Sequence, residues 1–193
     1  MQQSYQHIIQ KWTNHQSFNE KIITLFEKVR DIPYGTIDSR NPFEVFNKNM
    51  GTCSGKHALL KGLYIELGLE VKDFIVMHTF NNLAIEYPRN LKKLLAQSTV
   101  LDPHNFLKIK RNNEWITVDV TWDQPLKKLG FPMNENWDGN SNLNILVAAE
   151  NEIFQTNDVV NFKRELLEDF TTSAQKEREI FLKLFSNWLS TQR

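Results

Sequence analysis

The sequence predicts an α+β domain in which helices pack on an antiparallel sheet. Three observations carry that expectation: a hairpin pattern over residues 105–121, an apolar helical stripe over 54–67 that reads as a central helix, and amphipathic helical patterns flanking both, at 17–30 and 158–189. At 193 residues the chain is long enough for one well-buried core and short for two, so one domain over 1–193 is the default.

The elements follow in order. Phe18, Ile22, Leu25, Phe26 and Val29 recur at three- and four-residue steps, the stripe of a helix over Ser17–Arg30 opened by a capping box of Ser17 and Glu20. Pro33 and Gly35 break the pattern, and Asn41-Pro42 marks the boundary before a short helix through Phe46. From Ser54, the stripe Leu59, Leu60, Leu63 and Leu67 runs to Gly68, a helix stop, while Ala58 and Gly62 permit close packing. Phe74–His78 reads as a strand, and residues 81–103 as a connection with a short helix around Leu91–Ala96. Asn105–Lys110 and Trp115–Thr121 flank Arg111-Asn112-Asn113-Glu114, the pattern of a hairpin with a four-residue loop. Trp122–Asn144, rich in Pro, Gly and Asn, reads as a structured surface loop, with a strand near Asn144–Ala149 after it. Helices over Asp158–Phe170 and Ser173–Leu189, the second opened by a box of Thr172 and Gln175, form a C-terminal helical extension over 150–193.

Lysine and arginine number 23, as do aspartate and glutamate, for a formal net charge of zero. No field of one sign is available to hold nucleic acid or an anionic membrane, and Lys92-Lys93 and Lys127-Lys128 read as solvated faces. The polar leader Met1–His7 shows no signal-peptide pattern and no window approaches a membrane span, so a soluble, cytoplasmic protein is expected. The single cysteine, Cys53, rules out an internal disulfide, a thiol switch with a resolving cysteine and a cysteine-built zinc site. No metal or cofactor is expected, because no His-x3-His or similar ligand pair occurs. Gly51–Lys56 differs from a phosphate loop in spacing, and His57 stands where Ser or Thr should follow the lysine.

Gly51-Thr52-Cys53-Ser54-Gly55 places the cysteine at the start of the central helix, where unpaired N–H groups and the macrodipole favour a thiolate. The hairpin supplies partners. If Lys110 opposes Trp115, then Phe106 opposes Asp119, His104 opposes Thr121, and alternation puts all four on one face. His104 and Asp119 are then diagonal neighbours with Cα atoms on the order of 7–8 Å apart, a gap that an imidazole and a carboxylate close. Leu107, Ile109, Ile116, Val118 and Val120 form an apolar row on the other face that pins the register. The central helix is expected against the His104–Asp119 face, bringing Cys53 to them. Such a trio is a cysteine hydrolase or acyltransferase triad: Cys53 attacks a carbonyl, His104 moves the proton, Asp119 orients His104, and the Cys53 N–H donates to the oxyanion. A second oxyanion donor has no signature in the sequence.

Taken in order, Gly51-x-Cys53, a helix ending in Glu66-Leu67-Gly68-Leu69, His104-Asn105-Phe106 and Trp115-x-x-Val118-Asp119-Val120-Thr121-Trp122 resemble the transglutaminase-like superfamily of papain-like cysteine enzymes. The resemblance covers roughly residues 20–125. It implies a transglutaminase-like or papain-like core, a central helix on an antiparallel sheet with further N- and C-terminal helices. It also implies Cys53 as nucleophile, His104 as base and acid, and Asp119 as orienting group. Two departures stand out. Asn105-Phe106 follow the histidine where the family commonly has a small residue and tryptophan. The 51-residue step from Cys53 to His104 is long for the family, implying an insertion within 81–103 that forms a lid or specificity loop.

His78, two residues before Phe80, is the competing base and is read as the end of a strand; His57 is read as a helical packing or solvated residue, and His7 and His15 as part of the leader. Trp122, Trp137 and Phe106 are the candidate substrate-binding residues, against a reading that buries both indoles under the loop. The expected function is acyl transfer from an amide of a protein or peptide through a thioester, of peptidase, amidase, deamidase or transglutaminase type. The alternative is an inactive fold of the same kind used for binding or assembly.

Overall fold

The computed structural model describes residues 4–193; Met1, Gln2 and Gln3, the opening of the expected leader, lie outside the described residues. The rest of that leader is a helix, α1 (Tyr5–Thr13), capped by Ser4, whose hydroxyl accepts from the His7 N–H at 3.2 Å. Tyr5, Ile8, Ile9 and Trp12, spaced i, i+3, i+4 and i+7, pack into the core. The polar residues between them mask this stripe in the sequence.

Helix α2 (Phe18–Arg30) starts at the expected Ser17–Glu20 capping box, and α3 (Pro42–Lys48) at Asn41, whose side chain accepts from Phe43 and Glu44. The central helix α4 (Cys53–Glu66) buries Leu59, Leu60 and Leu63 completely and ends before Gly68, which adopts φ +87° as only glycine does without strain. Helix α1 crosses α4 at Gly62, where any Cβ would sit 2.1 Å from the Tyr5 ring.

Strands β1 (Val71–Thr79), β2 (Leu101–Arg111), β3 (Glu114–Val118) and β4 (Ala149–Thr156) form an antiparallel sheet in the order β3-β2-β1-β4. Lys110 opposes Trp115 as the hydrophobic pattern requires. The connection is tighter than the expected four residues: Arg111 pairs with Glu114, and Asn112-Asn113 turn alone at φ +49° and +67°, as in a two-residue hairpin that asparagine tolerates. The ladder also stops at Val118 instead of continuing to Thr121. β4 falls several residues after the expected Asn144–Ala149. It is a polar edge strand pairing with β1 on one side, so the C-terminal region completes the sheet before it turns helical.

Helix α5 (Arg89–Gln97) lies in the 81–103 connection, and α6 (Val159–Glu168) and α7 (Thr172–Ser190) close the chain, capped by Asp158 and Thr171. The expected Thr172–Gln175 box is absent because Gln175 turns back, its amide donating to the carbonyls of Leu167 and Phe170.

Two apolar clusters form the interior. In the first, α2 and α4 cover Leu107, Ile109, Ile116 and Val118. This corrects the expectation that α4 covers the His104 face: its leucine stripe buries more apolar surface against the apolar row, at about 25 cal/mol per Å². In the second, Phe181, Phe185 and Leu189 of α7 meet Phe80, Leu91, Trp122 and Phe131 beside the sheet. Among the described residues no helix is long and apolar enough to cross a membrane.

Candidate active site

After Val118 the chain leaves the sheet, and the first turns of α4 dock on the departing segment. His57 Nε2 accepts from the Val120 N–H at 3.1 Å, and its Nδ1 lies 2.7 Å from the Cys53 carbonyl oxygen. With Nε2 accepting, the tautomer assigned from these partners is Nδ1–H, donating to Cys53. Lys56, fully buried, donates to the carbonyls of Arg30 and Thr121 at 2.8 Å each. Its ammonium thus points into the protein and not toward an anion cradle. These two side chains bring the start of α4 to Asp119, although the body of α4 crosses the opposite sheet face.

Asp119 is fully buried. Its Oδ2 lies 2.7 Å from His104 Nε2 and accepts from the Leu146 N–H at 2.9 Å; Oδ1 accepts from the Thr121 N–H at 3.0 Å and the Thr121 hydroxyl at 2.6 Å. Burial pushes this carboxyl up, but the charge and hydrogen bond of His104 hold it well below the usual carboxylate range. His104 Nε2 is therefore committed to Asp119, leaving Nδ1 for Cys53. Burial disfavours the imidazolium, yet the Asp119 charge and hydrogen bond, with those of Cys53, raise His104 to about 9. Burial likewise opposes a thiolate at Cys53. The Lys163 ammonium, then the hydrogen bond and charge of His104, overcome it and lower the thiol to about 5, with Asp102 acting the other way. Between those values the pair is a thiolate and an imidazolium.

Cys53 forms part of the wall of a cleft of about 590 Å³ between the start of α4, the Asp102-Pro103 end of β2, and α6 and α7. Thr52 makes no side-chain cap at α4, and the first helical bond runs from the Lys56 N–H to the Thr52 carbonyl. The N–H groups of Cys53, Ser54 and Gly55 therefore precede the helical ladder and carry the positive end of the dipole. Lys163, on α6 and only 7% exposed, stands at the thiol, with Nζ 3.5 Å from Cys53 Sγ and 2.9 Å from Ser54 Oγ. Across the cleft Arg178 donates from Nε to Asp102 Oδ1 at 2.7 Å.

The structure thus brings Cys53, His104 and Asp119 together. The three candidate substrate-binding aromatics sit elsewhere, and none lines this cleft. Trp122 is buried against Tyr34 and Phe131, its indole N–H donating to the Leu146 carbonyl at 2.7 Å. Trp137 packs on Phe26 in the first cluster, its ring centroid 5.0 Å away, and Phe106 stacks on Phe74 in the sheet. Large rings after the strand fill core volume because the loop they lie on folds back over the sheet end. The 81–103 connection is no lid either: α5 packs on α7, and of that connection only Asp102 and Pro103, already in β2, border the cleft. His78 opposes Asp102 on β1, and burial lowers it to about 4, so it is neutral. Lys163, Arg178 and Asp102 carried no sequence signal; Lys163 lies 110 residues from Cys53, in a helix whose pattern is merely amphipathic. Among the described residues no group of three or more His, Cys, Asp or Glu is arranged to hold a metal ion.

No family model matches the sequence, and no curated protein matches it. Among solved structures it is similar to the "Putative Cysteine Protease from Cytophaga hutchinsonii", at 14% identity and a TM-score of 0.42, over 79% of this chain and 47% of that one. The chain thus spans about half the length of that protein.

Proposed function

We propose that this protein is a cysteine-dependent enzyme of transglutaminase-like, papain-like type that transfers acyl groups from amides of a peptide or protein through a thioester. Cys53 is the nucleophile, His104 the acid and base, and Asp119 the orienting carboxylate. One observation carries the reading. A cysteine at a helix start, on the wall of a cleft, has its thiol lowered to about 5 beside a histidine raised to about 9 that is itself held at 2.7 Å by a buried carboxylate.

The thiolate attacks the amide carbonyl carbon, forming the S–C bond and moving the carbonyl π pair onto oxygen beside the N–H groups at the start of α4. When the carbonyl re-forms, the C–N bond breaks and the leaving nitrogen takes the proton from His104 Nδ1. Neutral His104 then accepts a proton from water or an amine as it attacks the thioester. Hydrolysis, deamidation and cross-linking share these steps and differ only in acceptor.

Alkylation tests the nucleophile. At pH 6 a free thiol is under about 1% ionised while Cys53 is mostly thiolate; after allowing for the weaker nucleophilicity of a low-pKa thiolate, iodoacetamide should label Cys53 about tenfold faster. His104→Ala should remove most of that enhancement. Labelling no faster than free cysteine would refute the enzyme and favour an inactive fold used for binding.

A further inference from the structure

Lys163 belongs to none of the roles above, yet its ammonium stands at the thiol sulfur beside the His104 imidazolium, with Nζ 3.5 Å from Sγ. The Ser54 hydroxyl fixes it at 2.9 Å, and among the described residues no carboxylate lies within ion-pair distance of Nζ. A buried lysine without a carboxylate is costly unless another negative charge faces it. Here the available charge is the one that resides on Cys53 Sγ before the reaction and on the carbonyl oxygen after attack.

We propose that Lys163 is a catalytic residue of this site, the side-chain donor that follows the negative charge from the thiolate to the oxyanion in the acylation step. It is the second oxyanion donor that the sequence does not reveal, complementing the backbone N–H of Cys53. The inference rests on the nucleophilic role of Cys53. As Sγ bonds to the carbonyl carbon, the π pair moves to an oxygen one bond angle from sulfur. A donor already 3.5 Å from Sγ reaches that oxygen with a small side-chain adjustment. The ammonium donates a hydrogen bond and keeps its proton; the proton for the leaving nitrogen comes from His104. Because the charge moves between two partners of Nζ while Cys53 and Lys163 are both buried, stabilisation grows as the tetrahedral intermediate forms. The other charged or titratable groups facing Sγ are His104 and Asp102 on β2, Tyr34 before α3, and Arg178 on α7. Arg178 is paired with Asp102 and so is no free cation, and Tyr34 is neutral because burial raises it well above its ordinary value.

Two reagents separate this role from thiolate formation. Iodoacetamide reacts by displacement at a saturated carbon and generates no oxyanion, whereas p-nitrophenyl acetate acylates through one. Rates of both are compared in wild type and Lys163→Met, at a pH where the alkylation plateau shows both proteins fully thiolate. The expected result is a similar alkylation rate with acetylation lowered about 100-fold, as for loss of one oxyanion donor, and partial recovery of acetylation in Lys163→Arg. An unchanged ratio of acetylation to alkylation in Lys163→Met overturns the proposal while leaving the nucleophile reading intact, since that reading is tested by wild-type alkylation at pH 6. Should Lys163→Met fail to reach the wild-type alkylation plateau, the same ratio measured in Lys163→Gln, which retains a neutral donor toward Ser54, decides the matter.

Discussion

Replacing Asp119 by Asn should dismantle the ion pair while leaving the fold largely in place. With its oxygen at the Oδ1 position the amide still accepts from the Thr121 N–H and hydroxyl, while its NH2 replaces the oxygen that accepts from Leu146 and removes the charge 2.7 Å from His104 Nε2. In the native protein His104 stands at about 9 against an ordinary 6.5, although burial pushes the other way. The difference corresponds to about 3 kcal/mol in favour of the imidazolium, and the carboxylate supplies most of it. Without it burial prevails, and His104 falls to its ordinary value or below. At pH 7.5 the imidazolium fraction then drops from nearly complete to about a tenth or less. The thiolate loses one of its two cations in consequence. The pH profile of iodoacetamide labelling reads this directly: the native inflection near 5 should move up by roughly two pH units in Asp119→Asn, and acylation at pH 7.5 should fall about 100-fold or more. His104→Ala should reproduce the alkylation shift. An Asp119→Asn protein whose labelling still inflects below pH 6 would show that the imidazolium does not hold the thiolate, and the triad reasoning would fail.

The same pair makes stability depend on pH. Folded, Cys53 and His104 together hold one proton between about 5 and about 9; unfolded, at their ordinary values of 9.0 and 6.5, they hold one between those and two below 6.5. The unfolded chain therefore binds the extra proton first on acidification, and stability should fall by about 2 kcal/mol from pH 6.5 to 5 and stay level from 6.5 to 9, as read by urea titrations at fixed pH. Cys53→Ala leaves a raised histidine alone and should reverse the sign, with stability declining as pH rises above 6.5. Trp137→Ala should cost about 3–5 kcal/mol by denaturant titration, because it empties core space beside Phe26, yet leave Cys53 labelling unchanged; slowed labelling in the folded protein would return Trp137 to the groove. Gly62→Ala puts a methyl group 2.1 Å from the Tyr5 ring and should destabilise by about 1–3 kcal/mol, with a double mutant carrying Tyr5→Ala showing clear non-additivity.

What could be read from the chain was local. The Ser17–Glu20 box, the stop at Gly68 and the Lys110–Trp115 register each depend on residues within a few positions of one another, and each formed as expected. The hairpin register also brought Asp119, one residue past the end of the ladder at Val118, to His104 on β2. Errors arose where a polar average hid a short stripe, as in α1, or where a strand lacked hydrophobic alternation, as in β4, whose pairing comes from the edge of β1 and not from its own sequence.

The sequence by itself determined that Cys53 opens a helix and that His104 and Asp119 share a hairpin, because periodicity and turn chemistry act over a few residues. Tertiary structure alone decided how these meet. Helix α4 follows its leucines onto the apolar sheet face, so Cys53 reaches His104 through the end of the helix, held by His57 and Lys56 against the chain that leaves β3. It also decided that Trp122 and Trp137 fill the core and that Lys163 stands at the thiol. A contact across 110 residues follows from the packing of a whole helix, and neither Lys163 nor its neighbours in sequence carry any trace of the charge they will face.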